Sequence, residues 1–286
     1  MPDLSYLDAL ILGVVEGLTE YLPVSSTAHL TITEKLLGLE VDDPAVTAYT
    51  AVIQLGAIAA TLIYFFKDIV RLVVAWFRGL RSAEARRDPD YRLAWAVIIG
   101  SIPVGIIGFL LRDFISGPLR SLWVVAIALV LWSGVMVLAE RRYATLERLG
   151  RVRGEHSVNP VDGLVIGLIQ CFSLIPGVSR SGATISAGIA RGIDRVTATR
   201  LSFFLAIPAL TAAGLFQAVQ ERHGLAGLGI GPVVLGVVVA FVVAFATIAW
   251  LLRFVASNTL IPFVWYRVIL GFVLAGALGV GLIAAT

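Results

Sequence analysis

The chain of 286 residues is 58% hydrophobic and only 14% charged, with a mean hydropathy of +0.93. Soluble domains carry about 25% charged residues, so this composition excludes an ordinary soluble domain and indicates a polytopic membrane protein. The net charge of +3 matters less than where the basic residues lie, and the single Cys171 leaves no intrachain disulfide or thiolate metal cluster.

The first element, residues 4–37, is an apolar stretch that holds Glu16 and Glu20, breaks at Pro23 and resumes through Ser25, Ser26, Thr27 and His29. The opening Met1-Pro2-Asp3 lacks the basic start of a cleavable signal. Charge is costly at membrane depth, so ionisable groups there are functional candidates. An interrupted backbone is tolerated there only where it is buried in protein or lines a wet cavity. A span follows at 46–66, then a basic segment at 67–92 whose residues 68–78 read as an amphipathic helix lying on the membrane. Spans at 93–111 and 121–139 flank a short link with Arg112 and Arg120, and a second basic segment occupies 140–160. Residues 161–190 form another interrupted apolar stretch, broken at Pro176-Gly177 and resuming through Ser179, Arg180, Ser181 and Thr184. Spans at 198–217, 230–252 and 263–284 complete the chain, each close to the ~20 residues that crossing requires. Trp76, Trp95, Trp123 and Trp265 fall near span ends as interfacial anchors. Gly271, Ala275 and Gly279 form a small-residue face for close helix packing, with a homodimer as the alternative.

Basic loops stay on the cytoplasmic side, so 67–92 and 140–160 are both cytoplasmic, and the two spans between them satisfy that placement. The Arg112–Arg120 link and the Glu221-Arg222-His223 region are then external. Residues 161–190 start in the cytoplasmic loop and end at Arg191, Arg195 and Arg200, also basic, which implies a hairpin that enters and turns back. By the same logic residues 4–37 enter and leave on the outside. The prediction is an all-α polytopic membrane protein with six transmembrane helices, two re-entrant hairpins and both termini external. Residues 8–27 align without gaps to 162–181, matching Asp8 with Asp162, Gly13 with Gly167 and Ser25 with Ser179. The chain thus divides into repeats at 1–139 and 161–286 joined by the 140–160 linker. Each half holds one hairpin and three spans, so the halves point opposite ways. The site of such inverted repeats usually lies where broken helices meet near the midplane.

Glu16 and Glu20 share a helix face. Past Pro23 a new helix is expected with Ser25 or Ser26 at its start, and there Ser26 and His29 are three apart and within reach. Ser179, Arg180, Ser181 and Thr184 sit at the matching start in the second hairpin. Helix N-termini favour phosphate, and an arginine fork holds it bidentately. A hydroxyl, an imidazole, two carboxylates and these anion sites suit hydrolysis of a phosphate ester or diphosphate, with Ser26 as nucleophile and His29 as its base; Ser25, His29 or water as the attacking group stays open, with Ser26 then positioning the substrate. Glu16 and Glu20 position His29 or seat a divalent cation, Mg²⁺ or Ca²⁺, and metal-free chemistry stays open. No organic cofactor and no nucleic-acid partner are expected. Gln54 and Thr27 are second-rank candidates, and His156 and His223 read as solvated loop residues. The chain lacks a Walker loop, an H-E-x-x-H helix and a dinucleotide fingerprint.

The strings EGLTEYLPVSSTAHL and IPGVSRSGATIS, with Gln54 in VIQLGAI, closely resemble the bacitracin-resistance type of undecaprenyl-diphosphate phosphatases, over essentially the whole chain. Ala28 stands where that family usually has glycine, and Ser173 where alanine is common. The resemblance implies removal of one phosphate from undecaprenyl diphosphate, which recycles the lipid carrier for peptidoglycan. It also implies a site opening to the external face of the bacterial cell membrane, and roles for Glu16, Glu20, Ser25, Ser26, His29, Arg180 and Thr184. A lipid-carrier flippase or transporter using the same chamber is the rival reading.

Overall fold

Helices account for the regular structure of residues 4–41, 43–116, 119, 121–220 and 229–285, which the computed structural model describes. In chain order they are α1 (Tyr6–Thr19), α2 (Ser26–Leu36), α3 (Pro44–Tyr64), α4 (Phe66–Arg81), α5 (Pro89–Leu110), α6 (Arg112–Ser116), α7 (Leu122–Arg148), α8 (Pro160–Gln170), α9 (Arg180–Ala190), α10 (Arg195–Gln220), α11 (Ile230–Ser257) and α12 (Ile261–Gly279). Six of them, α3, α5, α7, α10, α11 and α12, are long and apolar enough to cross a membrane, and they coincide with the six predicted spans. Arg120 and the Glu221-Arg222-His223 region lie outside the described residues.

Local chemistry sets the helix starts. Asp43 and Asp88 cap α3 and α5, each followed by a proline at the first helical position. Ser5 caps α1 in a reciprocal box with Asp8, and Asn159 caps α8 in the same way with Asp162. Helix α7 continues past its predicted end at 139 to Arg148, because nothing in that stretch breaks a helix. Helix α4 has the expected amphipathic character: it buries Leu72, Ala75 and Gly79 and leaves Val70, Val73 and Phe77 exposed. Gly79 is needed there, since a Cβ would collide with the Tyr91 ring.

Ion pairs gather the basic segments at one end of the bundle. Arg71 on α4 bonds Asp90 and Glu155, and Arg200 bonds Asp68 and Glu155. At the same end Asp162, where α8 begins, holds both Arg153 and Arg191, the residue that follows α9. The α8–α9 unit therefore starts and finishes at that end. The opposite end collects Leu4, Leu37, Leu39 and Val233 in one cluster, and Leu122 N donates to the Ala285 carbonyl at 2.9 Å. The α1–α2 unit starts and finishes there, alongside the described C-terminal residues. Two helix-break-helix units opening toward opposite ends are compatible with the expected pair of re-entrant hairpins.

Each unit's first helix is seated on small residues of a span. On α1, Gly13 faces the Gly236 carbonyl of α11, where an added Cβ would come within 2.8 Å. On α8, the aligned Gly167 lies against the Gly100 backbone of α5 so tightly that a Cβ would collide with it. Without a hydrophobic driving force in lipid, such close backbone approach is what holds helices together.

Candidate functional site

The two breaks meet in the interior. Ser25 and Ser179, the residues preceding α2 and α9, are the two non-glycine residues with positive φ among those described, at 78° and 76°. That conformation strains a residue with a side chain by about 1–3 kcal/mol, which persists only where the surroundings impose it. Ser181 Oγ donates to the Leu22 carbonyl at 2.8 Å, joining one turn to the other. Ser179 Oγ accepts from Gly182 N at 3.1 Å and caps α9, with the Ser181 hydroxyl also 3.1 Å away. Ser25 makes no such cap, so the first amides of α2 keep their anion-binding capacity.

Arg180 spans the junction. Its Nη2 donates to the Glu20 carbonyl and to Glu20 Oε1, both at 3.2 Å, and its Nη1 donates to the Ser202 carbonyl and hydroxyl at 3.0 and 3.2 Å. Both side chains are buried, at 9% and 4% relative exposure, so neither charge stands alone in the interior. Arg180 Nε is buried with no acceptor, an orphaned donor in the middle of the cluster. Thr184 Oγ1 donates to Ser202 Oγ at 2.7 Å, which fixes the acceptor that orients the guanidinium.

Sequence spacing pairs Ser26 with His29, but the structure pairs Ser26 with Glu20. Ser26 Oγ donates to Glu20 Oε2 at 2.7 Å across the Pro23 turn. His29 instead places Nδ1 2.7 Å from the Ser25 carbonyl and Nε2 2.6 Å from the Tyr266 hydroxyl on α12. The one-turn geometry of α2 sends the imidazole away from the hydroxyl three residues earlier.

Glu16 is wholly buried, and neither carboxylate oxygen has a hydrogen-bond partner. It lines a cavity of about 200 Å³ with Thr27, Thr31, Glu34, Thr50 and Gln54, and with Pro176 of the second turn. Apart from Ser25 and His29, which are bonded to each other, the predicted residues fall into two adjoining groups. Glu20, Ser26, Ser179, Arg180, Ser181 and Thr184 form the junction, and Glu16, Thr27 and Gln54 line the cavity. Among the described residues no cluster of three His, Cys, Asp or Glu forms a metal cage.

Ser202, Tyr266, Glu34 and Arg267 escape the sequence reading. Arg267 carries a usable signal, an arginine inside an apolar span. Glu34 continues the Thr27–Thr31 face by helical spacing, while Ser202 and Tyr266 carry no local signal.

Six helices long and apolar enough to cross a membrane, packed with two broken-helix units that bring a hydroxyl, a carboxylate and a buried arginine to one join, define a polytopic helical membrane protein with a polar interior. The chain belongs to the bacitracin resistance protein BacA family, whose model matches residues 9–273. It is 53% identical to an undecaprenyl-diphosphatase of Cutibacterium acnes, over 96% of this chain and 97% of that one. It is 54% identical to an undecaprenyl-diphosphatase of Acidothermus cellulolyticus, over 98% and 99% of the two chains. A Mycobacterium undecaprenyl-diphosphatase is 48% identical over 99% of this chain and all of its own. The family and the six apolar helices make this a multi-pass cell membrane protein.

Proposed function

We propose that the protein hydrolyses undecaprenyl diphosphate to undecaprenyl phosphate and inorganic phosphate, returning the lipid carrier to peptidoglycan synthesis and conferring bacitracin resistance. The observation that carries the reading is the Ser26–Glu20–Arg180 chain at the junction of the two turns. The terminal phosphate takes hydrogen bonds from Arg180 Nε and from the uncapped start of α2. Ser26 Oγ attacks the terminal phosphorus while Glu20 takes its proton. The bond from that phosphorus to the bridging oxygen breaks, and undecaprenyl phosphate leaves. Water then hydrolyses the phosphoserine and restores Ser26. His29, held by Tyr266, positions the Ser25 backbone rather than receiving the Ser26 proton.

Glu16 and Glu20 have the oxygen donors that Mg²⁺ or Ca²⁺ prefers, and a bound cation would neutralise phosphate charge there. The buried, unpartnered Glu16 oxygens fit that role. Substrate and water would complete the ligand set, since no three-residue cage is present among the described residues.

The halves 1–139 and 161–286 act as inverted repeats about the 140–160 linker. Several aligned residues support this: Ser5–Asp8 and Asn159–Asp162 as caps, Gly13 and Gly167 as seats, and Ser25 and Ser179 as strained helix starts. With the basic end cytoplasmic, both termini are external and the Glu16–Gln54 cavity opens to the external face.

Purified protein assayed for phosphate release from a prenyl diphosphate tests the reading. Wild type should release phosphate and Arg180→Ala should not; a Ser26→Ala protein at near wild-type rate would eliminate the phosphoserine. The paired hairpins also suit a flippase, and lipid movement in liposomes without any hydrolysis would favour that function instead.

A further inference from the structure

Arg267 on α12 is fully buried, and among the described residues no carboxylate pairs with it. Its bonds go to the backbone of both turns. Nη1 donates to the Pro23 carbonyl at 3.2 Å, and Nη2 donates to the Gly177 carbonyl at 2.9 Å. Pro23 and Gly177 are aligned positions of the internal repeat. The remaining bonds anchor the fork to α7: Nε to Ser133 Oγ at 3.3 Å and Nη2 to the Leu129 carbonyl at 3.5 Å.

A broken helix leaves carbonyls with no intrahelical donor, and burying them unpaired is costly. Each turn has such a carbonyl, and a single planar guanidinium answers both. Lysine lacks that geometry, because one ammonium on a flexible stem does not hold two fixed acceptors in register with two more on α7. Gly177 is also tied in place from behind: its φ is +97°, and a Cβ there would come within 2.6 Å of the Val125 carbonyl. The α7 segment that carries Leu129 and Ser133 therefore backs the second turn directly, and Arg267 transfers that fixed position to the first.

We propose that Arg267 is a positioning residue that clasps the two turns together. It sets the distance from Ser26 and Glu20 on one turn to Arg180 on the other, without itself touching substrate. This rests on the phosphatase reading, and the two fail differently. A wild-type protein that releases no phosphate sinks that reading, whereas an active, folded Arg267 variant sinks only the clasp.

The test measures kcat and KM for phosphate release from a prenyl diphosphate, per folded protein, in Arg267→Lys, Arg267→Met and Ser133→Ala, with thermal midpoints alongside. Misplacing reacting groups by an ångström costs about 100-fold, so Arg267→Met should lose that much kcat, with KM shifted less than about threefold. Arg267→Lys keeps the charge yet should recover less than about a tenth of wild-type kcat, because the fork is what matters. Ser133→Ala, which removes one of the acceptors that hold the fork, should lower kcat by about fivefold, well short of Arg267→Met, with KM little changed. If either Arg267 variant folds with kcat within about threefold of wild type, the residue is merely structural and the clasp is wrong. Should Arg267→Met yield no folded protein, the lysine variant decides alone.

Discussion

Replacing Glu20 by glutamine separates the two candidate proton acceptors for Ser26. The substitution keeps shape and a hydrogen-bond acceptor near Ser26, but removes the basic oxygen that sits 2.7 Å from the hydroxyl. Losing a general base costs about 10²- to 10⁴-fold, or roughly 2.7–5.4 kcal/mol of barrier at 1.36 kcal/mol per tenfold. The substitution also leaves Arg180 without its carboxylate. Stripping one partner from a buried ion pair costs about 3–5 kcal/mol, and here the cost should fall near the low end. Arg180 keeps its bonds to the Glu20 carbonyl and to both Ser202 oxygens. Phosphate release under single-turnover conditions, with a thermal melt on the same preparation, reads the two effects apart. The expected result is a large kcat loss in protein that is still folded at the assay temperature. If Glu20→Gln turns over within about threefold of wild type while His29→Ala drops about 100-fold, the proton goes to His29 and the Ser26–Glu20 assignment is wrong.

Tyr266→Phe removes the hydroxyl 2.6 Å from His29 Nε2. It should cost about 1 kcal/mol or less of activity, under tenfold in kcat, because it orients rather than reacts. Gly167→Ala should lower the thermal midpoint and cost about 1–3 kcal/mol or more, since its Cβ meets the rigid Gly100 backbone rather than a side chain that swings away. At the basic end of the bundle, burial pushes the Glu155 carboxyl up, but the hydrogen bond and charge of Arg71, with Arg200, more than reverse this and hold it below the usual carboxylate range. A depressed carboxyl contributes stability above its unfolded value, lost as pH falls through the folded one. Acid melts below about pH 4.5 should therefore be flatter in Glu155→Gln than in wild type, while at pH 7 the variant is the less stable of the two.

The spans are legible in the sequence because length and apolarity decide them, and the turns because Pro23 and Pro176-Gly177 interrupt hydrocarbon-type sequence beside ionisable residues. Ser25 and Ser179 are legible as helix starts from their hydroxyls and the prolines before them. The hydrogen-bond partner of Ser26 is not. Helical spacing ranks His29 as its neighbour, but Glu20 reaches it by folding back across a turn whose shape no periodicity encodes. Ser202 and Tyr266 act through contacts with residues far away in sequence, which one chain read alone does not pair.

The strained serines at 25 and 179 have a bearing on sequence drift. At φ of 78° and 76° glycine is the easier occupant, and substitution would relax the backbone. At position 179 that gain would erase the oxygen that fastens Gly182 N, and at position 25 it would add slack beside Ser26. The tautness of each elbow is thus maintained against a standing thermodynamic pull toward looseness. Ser25→Gly or Ser179→Gly should emerge only where the protein is no longer needed for turnover.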